Sequence, residues 1–222
     1  MKDEQIELIL SELEKKETWN DEDLLILDKY SHSKSSMIRN RVAELCAYSN
    51  KDNIKSILLR LINDNDNIVR AEAFDSITIA FPNKEIAEIL KNKVVNEKDA
   101  IARSYAILSW IDVALMLSNN VKSEDINFLE NQIKSENDNH CILSYCYGLY
   151  LFGKDEYFDK ICSFLDSTDY QLRCAVINRL RDIKSVINKN DICNKLIKLL
   201  KTEETIAVKD DAERLLKELH FS

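Results

Sequence analysis

Two glycines and one proline among 222 residues leave this chain few ways to turn sharply. Strand hairpins close through turns that use glycine's positive φ or proline's fixed φ. Helices need neither, because short loops of Asn, Asp and Ser both cap a helix start and fold a local turn. An all-α fold is therefore favoured before any periodicity is read. The hydrophobic pattern points the same way. Ile6, Ile9, Leu10 and Leu13 form one stripe at helical spacing, and Ile54, Ile57, Leu58, Leu61 and Ile62 form another. Ile86, Ile89 and Leu90, then Leu196, Leu199 and Leu200, continue the habit, each marking one apolar helix face. No segment alternates apolar and polar residues for long enough to read as a strand.

The second signal is internal repetition. Residues 63–77 read as a polar turn, the aliphatic–basic pair Val69-Arg70, and then small and large apolar residues. Related segments surround Arg39, Arg103 and Arg173, and a weaker one surrounds Lys209. A sixth fits at 138–143 with Ile142 in the basic position, giving successive spacings of 31, 33, 39, 31 and 36 residues. Over about residues 20–220 the chain resembles the HEAT-repeat family. That resemblance implies a right-handed α-solenoid of about six HEAT-like helical hairpins behind an N-terminal capping helix, with 1–222 as a single repeat domain. In such a stack each hairpin buries its apolar face only against its neighbours.

The pattern predicts a first helix over 3–16. Six helix pairs follow, at 21–31 and 35–49, 52–62 and 66–80, 83–95 and 99–117, 123–134 and 139–152, 155–165 and 169–182, and 190–200 and 204–220. Pro82 is expected in the first turn of its helix, where a missing N–H costs nothing. Gly148 is expected inside a helix, at about 1 kcal/mol relative to alanine. The repeated arginines are read as forks that tie neighbouring turns through acids such as Asp66 or Asp169, with phosphate contact as the alternative.

Catalytic motifs do not emerge. His32, His140 and His220 stand far apart without metal-ligand spacing. Gly148 and Gly153 build no phosphate loop, and there is no G-x-S-x-G elbow. The reading is a non-enzyme with no cofactor and no metal. Six cysteines (46, 141, 146, 162, 174 and 193) make no C-x-x-C pair and mostly adjoin aliphatic residues, as expected of buried thiols in a reducing compartment. Residues 1–5 lead straight into the first amphipathic stripe, so no signal peptide is expected. No apolar run is read as approaching the ~20 residues of a membrane span. A cytoplasmic location is the expectation.

The net charge of −8 is uneven: 11 acids and 7 bases in 1–50, 15 and 11 in 51–150, 13 and 13 in 151–222. An acidic field opposes nucleic-acid backbones and anionic membranes and favours a basic partner, although self-solubility accounts for the same charge. The HEAT resemblance implies that the second helix of each hairpin lines the binding face. Aligned on the aliphatic–basic pair, Val69, Ala73, Ile77 and Ala80 face inward and leave Glu72, Asp75 and Thr78 outward. Corresponding or adjacent positions are Glu44 and Tyr48, Tyr105 and Asp112, Tyr147 and Tyr150, and then Asn178, Arg181 and Asp182. The candidate partner-binding residues are Glu44, Tyr48, Glu72, Asp75, Tyr105, Asp112, Tyr147 and Tyr150. Tyrosines anchor interfaces and acids steer basic partners, while any one of these tyrosines is equally a core residue. Trp19 is expected to pack the first hairpin on the N-terminal helix, and Trp110 to lie on the apolar face of its own.

The resemblance leaves several functions open. One is a protein-binding inhibitor of a basic protein, as in the immunity proteins of bacterial contact-dependent growth-inhibition systems, some of which resemble this kind of stack; the partner is then a nuclease toxin. Another is a general HEAT-repeat adaptor or scaffold. HEAT-like DNA glycosylases and a pigment-lyase relative share the architecture. The acidic balance argues against the glycosylase, whose DNA affinity comes largely from neutralising phosphates.

Overall fold

The computed structural model describes residues 2–117, 122–184 and 189–221, with the backbone alone for 220 and 221. Among them the protein is all-α. Its helices are α1 (Asp3–Glu14), α2 (Asp21–Tyr30), α3 (Ser36–Cys46), α4 (Asp52–Leu61), α5 (Asn67–Ala80), α6 (Lys84–Asn96) and α7 (Ala100–Leu117). They continue as α8 (Ser123–Ile133), α9 (Asn139–Leu151), α10 (Tyr157–Ser163), α11 (Tyr170–Asp182), α12 (Lys189–Leu200) and α13 (Ile206–Phe221), with a 3₁₀ turn at Phe164–Asp166. No strand occurs among the described residues. The helices gather into two compact units, residues 1–125 and 126–222.

Local chemistry starts these helices where the sequence suggests. Asp66 accepts from the Ile68 and Val69 amides at 3.0 and 3.3 Å, and Asp138 from those of His140 and Cys141 at 2.9 and 3.0 Å. Asp99 caps α7 through Ala102 at 3.0 Å, and Asp169 caps α11 through Gln171 at 2.9 Å. Each of these acids stands four residues before the repeat's basic position, where it satisfies amides that the helix start leaves open. Asn20 and Asp23 cap α2 reciprocally, each side chain accepting the other's amide at 3.0 Å. Pro82 lies ahead of α6 rather than in its first turn: Asn83 is the cap and α6 begins at Lys84. There it prevents α5, which ends at Ala80, from continuing. Beyond the last residues of α9 the chain turns at Gly153, whose φ of 87° suits glycine, and the Lys154 amide reaches back to the Leu149 carbonyl at 3.0 Å.

In the first unit α3, α5 and α7 pack side by side in that order, α1 lies against α3, and α2 lies against α4. Each of α2, α4 and α6 also packs on the helix that follows it. The buried stripes share one register, at one residue before and three and seven after the basic position: Ile38, Val42 and Cys46; Val69, Ala73 and Ile77; Ala102, Ala106 and Trp110. In the second unit Cys141, Tyr145 and Leu149 on α9, and Leu172, Val176 and Leu180 on α11, repeat it. Ile142 therefore occupies the basic position in spatial register as well as in sequence. Helix α7 has the length and composition of a membrane span, unlike the expectation that no apolar run comes close, and 44% of it is buried inside the protein. Trp19 ties α2's lead-in to α1 by donating its indole N–H to the Leu13 carbonyl at 2.9 Å.

The arginines join successive repeats, but through other acids than those expected. Asp66 and Asp169 are spent as caps. Arg39 instead grips Asp64 with two bonds of 2.7 Å, Arg70 grips Glu97 at 2.9 and 2.8 Å, and Arg173 grips Glu203 at 2.7 and 2.8 Å. Asp64, Glu97 and Glu203 each stand six residues before the next repeat's basic position. Each arginine also donates to the carbonyl six residues before itself: Ser33, Asp64, Glu97 and Ser167 accept from Arg39, Arg70, Arg103 and Arg173 at 2.7–2.9 Å. The carboxylates complete the junction by accepting an amide two residues on, from Asp66, Asp99 and Thr205.

These junctions make stability fall in acid. The Arg173 guanidinium holds the Glu203 carboxyl down to about 2, against an ordinary 4.5. A carboxyl whose folded value lies below its unfolded one contributes stability above about 4.5, and loses it as pH falls towards 2. We expect the melting temperature to drop between pH 5 and pH 2, and an Arg173→Met variant to lose part of that slope in circular-dichroism melts.

Burial also governs the thiols. All six cysteines are free; Cys46, Cys141, Cys146 and Cys162 are buried, whereas Cys174 and Cys193 are half-buried. Burial pushes Cys46 up to about 12 and both Cys146 and Cys162 up to about 11. Reactivity follows the accessible thiolate. Native labelling at pH 8 is expected at Cys174 and Cys193 first, with the other four reacting only on denaturation, as peptide mapping would resolve.

Candidate protein-binding face

One side of α3, α5 and α7 in the first unit collects most of the candidate residues. Positions two before and two, five and nine after the repeat's arginine follow a helical spacing and share a face. On α3 and the turn after it they are Met37, Arg41, Glu44 and Tyr48; on α5, Ile68, Glu72, Asp75 and Ile79; on α7, Ile101, Tyr105, Leu108 and Asp112. Met37, Ile68 and Ile101, at the helix starts, are exposed. So are Tyr48 (72%) and Ile79 (64%), at the other ends of α3 and α5. Glu44, Glu72, Asp75 and Arg41 lie between these borders, and Asp112 takes the border position on α7.

The acids are not evenly solvated. Glu44, Glu72 and Asp75 are half-buried, and Asp112 is exposed. Arg41 is held by Glu44 at 2.6 Å and by Glu14 of α1. Asp75 accepts the Ser109 hydroxyl at 3.0 Å, fastening α5 to α7. The Glu72 carboxyl is pushed up, first by burial and then by the negative charge of Glu44; the Ser76 hydroxyl offsets this only in part. An acid raised in the folded state stabilises the fold while it is protonated, and that contribution disappears as pH rises through the folded value. Once ionised, Glu72 therefore costs stability. Glu72→Gln should raise the melting temperature at pH 7 and make no difference near pH 3.

The expected set divides in three. Glu44, Tyr48, Glu72, Asp75, Tyr105 and Asp112 come together on this face. Thr78 does not join them: it is buried, and its hydroxyl bonds the Phe74 carbonyl at 2.9 Å within its own helix. Tyr147 and Tyr150 belong to the second unit. Tyr147 is only 7% exposed, with Arg179 over its ring at 5.1 Å, so it packs inside that unit rather than standing open. Tyr150 is half-buried against Phe158, ring centres 5.8 Å apart. Arg181 bonds Asn178 at 2.8 Å and pairs with Glu218 at 3.2 Å. The apolar borders were missed from sequence, although Met37, Ile68 and Ile101 share one register position.

At the edge of the face marked by Tyr48 and Ile79 opens a cleft of about 1010 Å³, walled by Trp19, Tyr48, Ile79, Ala80 and Lys51 among others. The Lys51 ammonium bonds the Trp19 carbonyl at 2.6 Å, and Lys16 is paired with Asp23 at 2.6 Å, so the cleft's two lysines are anchored. Among the described residues no three His, Cys, Asp or Glu side chains cluster to hold a metal ion; the His220 side chain lies outside them. No protein-family model and no curated protein matches this sequence.

Proposed function

We propose that the chain is a protein-binding module of HEAT-like hairpins, arranged as a solenoid, that inhibits a basic protein partner by covering it. The observation that carries this reading is the half-buried Glu72 beside Glu44, framed by exposed apolar side chains. A lone solvated acid would say little, but an acid kept partly desolvated next to a like charge opposes folding, and such groups concentrate where a ligand relieves them. A lysine or arginine from a partner would do so, and the apolar borders would supply contact area around the pair. Of the partners open to such a module, a nuclease toxin is the reading we favour, with the protein acting as its immunity protein in the cytoplasm of a bacterium. A nuclease must carry positive charge to hold its substrate, which an acidic face can occupy.

The test is biochemical. Tagged protein should co-purify with a basic protein from its native cell, ideally the product of the adjacent gene, and an equimolar amount should abolish that protein's activity. Co-purification without inhibition would leave a scaffold and sink the inhibitor reading.

A further inference from the structure

Resting on that reading, we infer that the face recognises a short basic segment of its protein partner in which one bulky apolar side chain precedes the cations, and that this side chain seats in the cleft beside Trp19. The cleft and the acidic face share two walls, Tyr48 and Ile79. Tyr48 stands in the turn after α3 and Ile79 in the last turn of α5, so a chain lying over Glu72 and Asp75 reaches the cleft without leaving the surface. Both side chains are largely exposed and offer apolar area that nothing in the first unit covers. Tightly held interfaces place an apolar or aromatic anchor in a pocket and ring it with polar contacts. The charge around this pocket is complementary to lysine or arginine, not to an acidic chain: Glu44, Glu72 and Asp75 lie along the face, while the cations beside them are already tied, Arg41 to Glu44 and Glu14, Lys16 to Asp23 and Lys51 to the Trp19 carbonyl.

The helix register sets the spacing. Ile79 stands four residues beyond Asp75 and seven beyond Glu72, which at 1.5 Å per residue is roughly 6 and 10 Å along α5. A partner segment therefore needs its first cation about 6 Å and its second about 10 Å from the anchor. Helical spacing of i, i+4 and i+7 provides this on one face.

The probe is a 15-residue alanine-based peptide with a phenylalanine followed by lysines four and seven positions later. Two controls replace the phenylalanine by alanine or both lysines by glutamine. Trp19 emission is the readout, because Trp19 lines the cleft, and a Trp110→Phe background checked by circular dichroism isolates it. The full peptide should shift Trp19 emission with saturation. Loss of the phenylalanine should weaken binding at least tenfold, and so should loss of the lysines at low salt. Tyr48→Asp and Ile79→Asp, both on exposed positions, should each weaken the full peptide about tenfold with helicity unchanged. Equal binding by the phenylalanine-free peptide would overturn the anchor and leave the acidic face standing. Equal binding by the lysine-free peptide would show that the apolar side chain alone is recognised and overturn the basic segment. No shift with any peptide to 1 mM would also overturn it. The function itself falls separately, when an authenticated basic partner binds the Glu72→Lys variant as well as the natural protein.

Discussion

Arg70→Ala should cost the first unit about 3–5 kcal/mol, the range for breaking a buried ion pair from one side. Arg70 and Glu97 side chains are only 14% and 7% exposed, and their two bonds are supplemented by the Asp64 carbonyl and the Asp99 amide. Alanine removes the cation and leaves the Glu97 carboxylate, which burial pushes towards protonation, with the Asp99 amide and the charge of Lys93 as the other groups holding it low. The loss should appear in urea melts as a lower midpoint at unchanged slope. Two controls separate this from generic damage. Arg70→Met with Glu97→Met removes both charges and should recover at least half of the loss, since desolvation no longer falls on an unpaired ion. Arg60→Ala breaks a pair with Asp28 whose side chains are 39% and 51% exposed, along with a bond to the Ser31 hydroxyl, and should cost well under the Arg70→Ala loss. Similar losses for Arg60→Ala and Arg70→Ala would mean that the junctions are ordinary surface pairs.

The arginines also show how far the sequence could be read. That Arg39, Arg70 and Arg173 tie repeats together is legible, because a position recurring every 31–39 residues carries arginine in four of its six copies and so marks one structural job. Their partners were misassigned because Asp66 and Asp169 stand only four residues before Arg70 and Arg173, and that spacing favours capping, which needs only local geometry. The pairing acids lie 25 to 30 residues away, where only the packing of one repeat on the next brings them close. The acid six residues before a basic position was nonetheless present in the sequence as Asp64, Glu97, Glu136 and Glu203. The core stripes were readable for a simpler reason: burial along a helix follows the 3.6-residue period that the side chains themselves display. Tyr147 marks where this fails. Its register equals that of Glu44 and Asp75, which predicts an outward side chain, but register does not say whether the next helix covers that face. In the second unit Arg179 of α11 does.

Partner binding carries the other large effect. Glu72→Lys should weaken affinity for the basic partner roughly a hundredfold, on the order of 3 kcal/mol, because it replaces a half-buried attraction with a repulsion at the centre of the face. The fold should tolerate it: the substitution removes a raised carboxyl and sets a cation beside Glu44, relieving the repulsion that pushes Glu72 up. Asp75→Lys is the less clean companion, since it also removes the 3.0 Å bond from Ser109 that links α5 to α7. Much of the loss should lie in slower association and should shrink between 0.05 and 0.5 M salt, as screening shortens the reach of steering below about 10 Å. Tyr48→Ala should act differently. Its ring is 72% exposed and makes contact area rather than field, so the complex should dissociate faster at every salt concentration while association hardly changes. Stopped-flow traces at two salt concentrations separate the cases. Unaltered rates for both variants, in a folded protein with an authenticated partner, would place the binding surface on a different side of the helices.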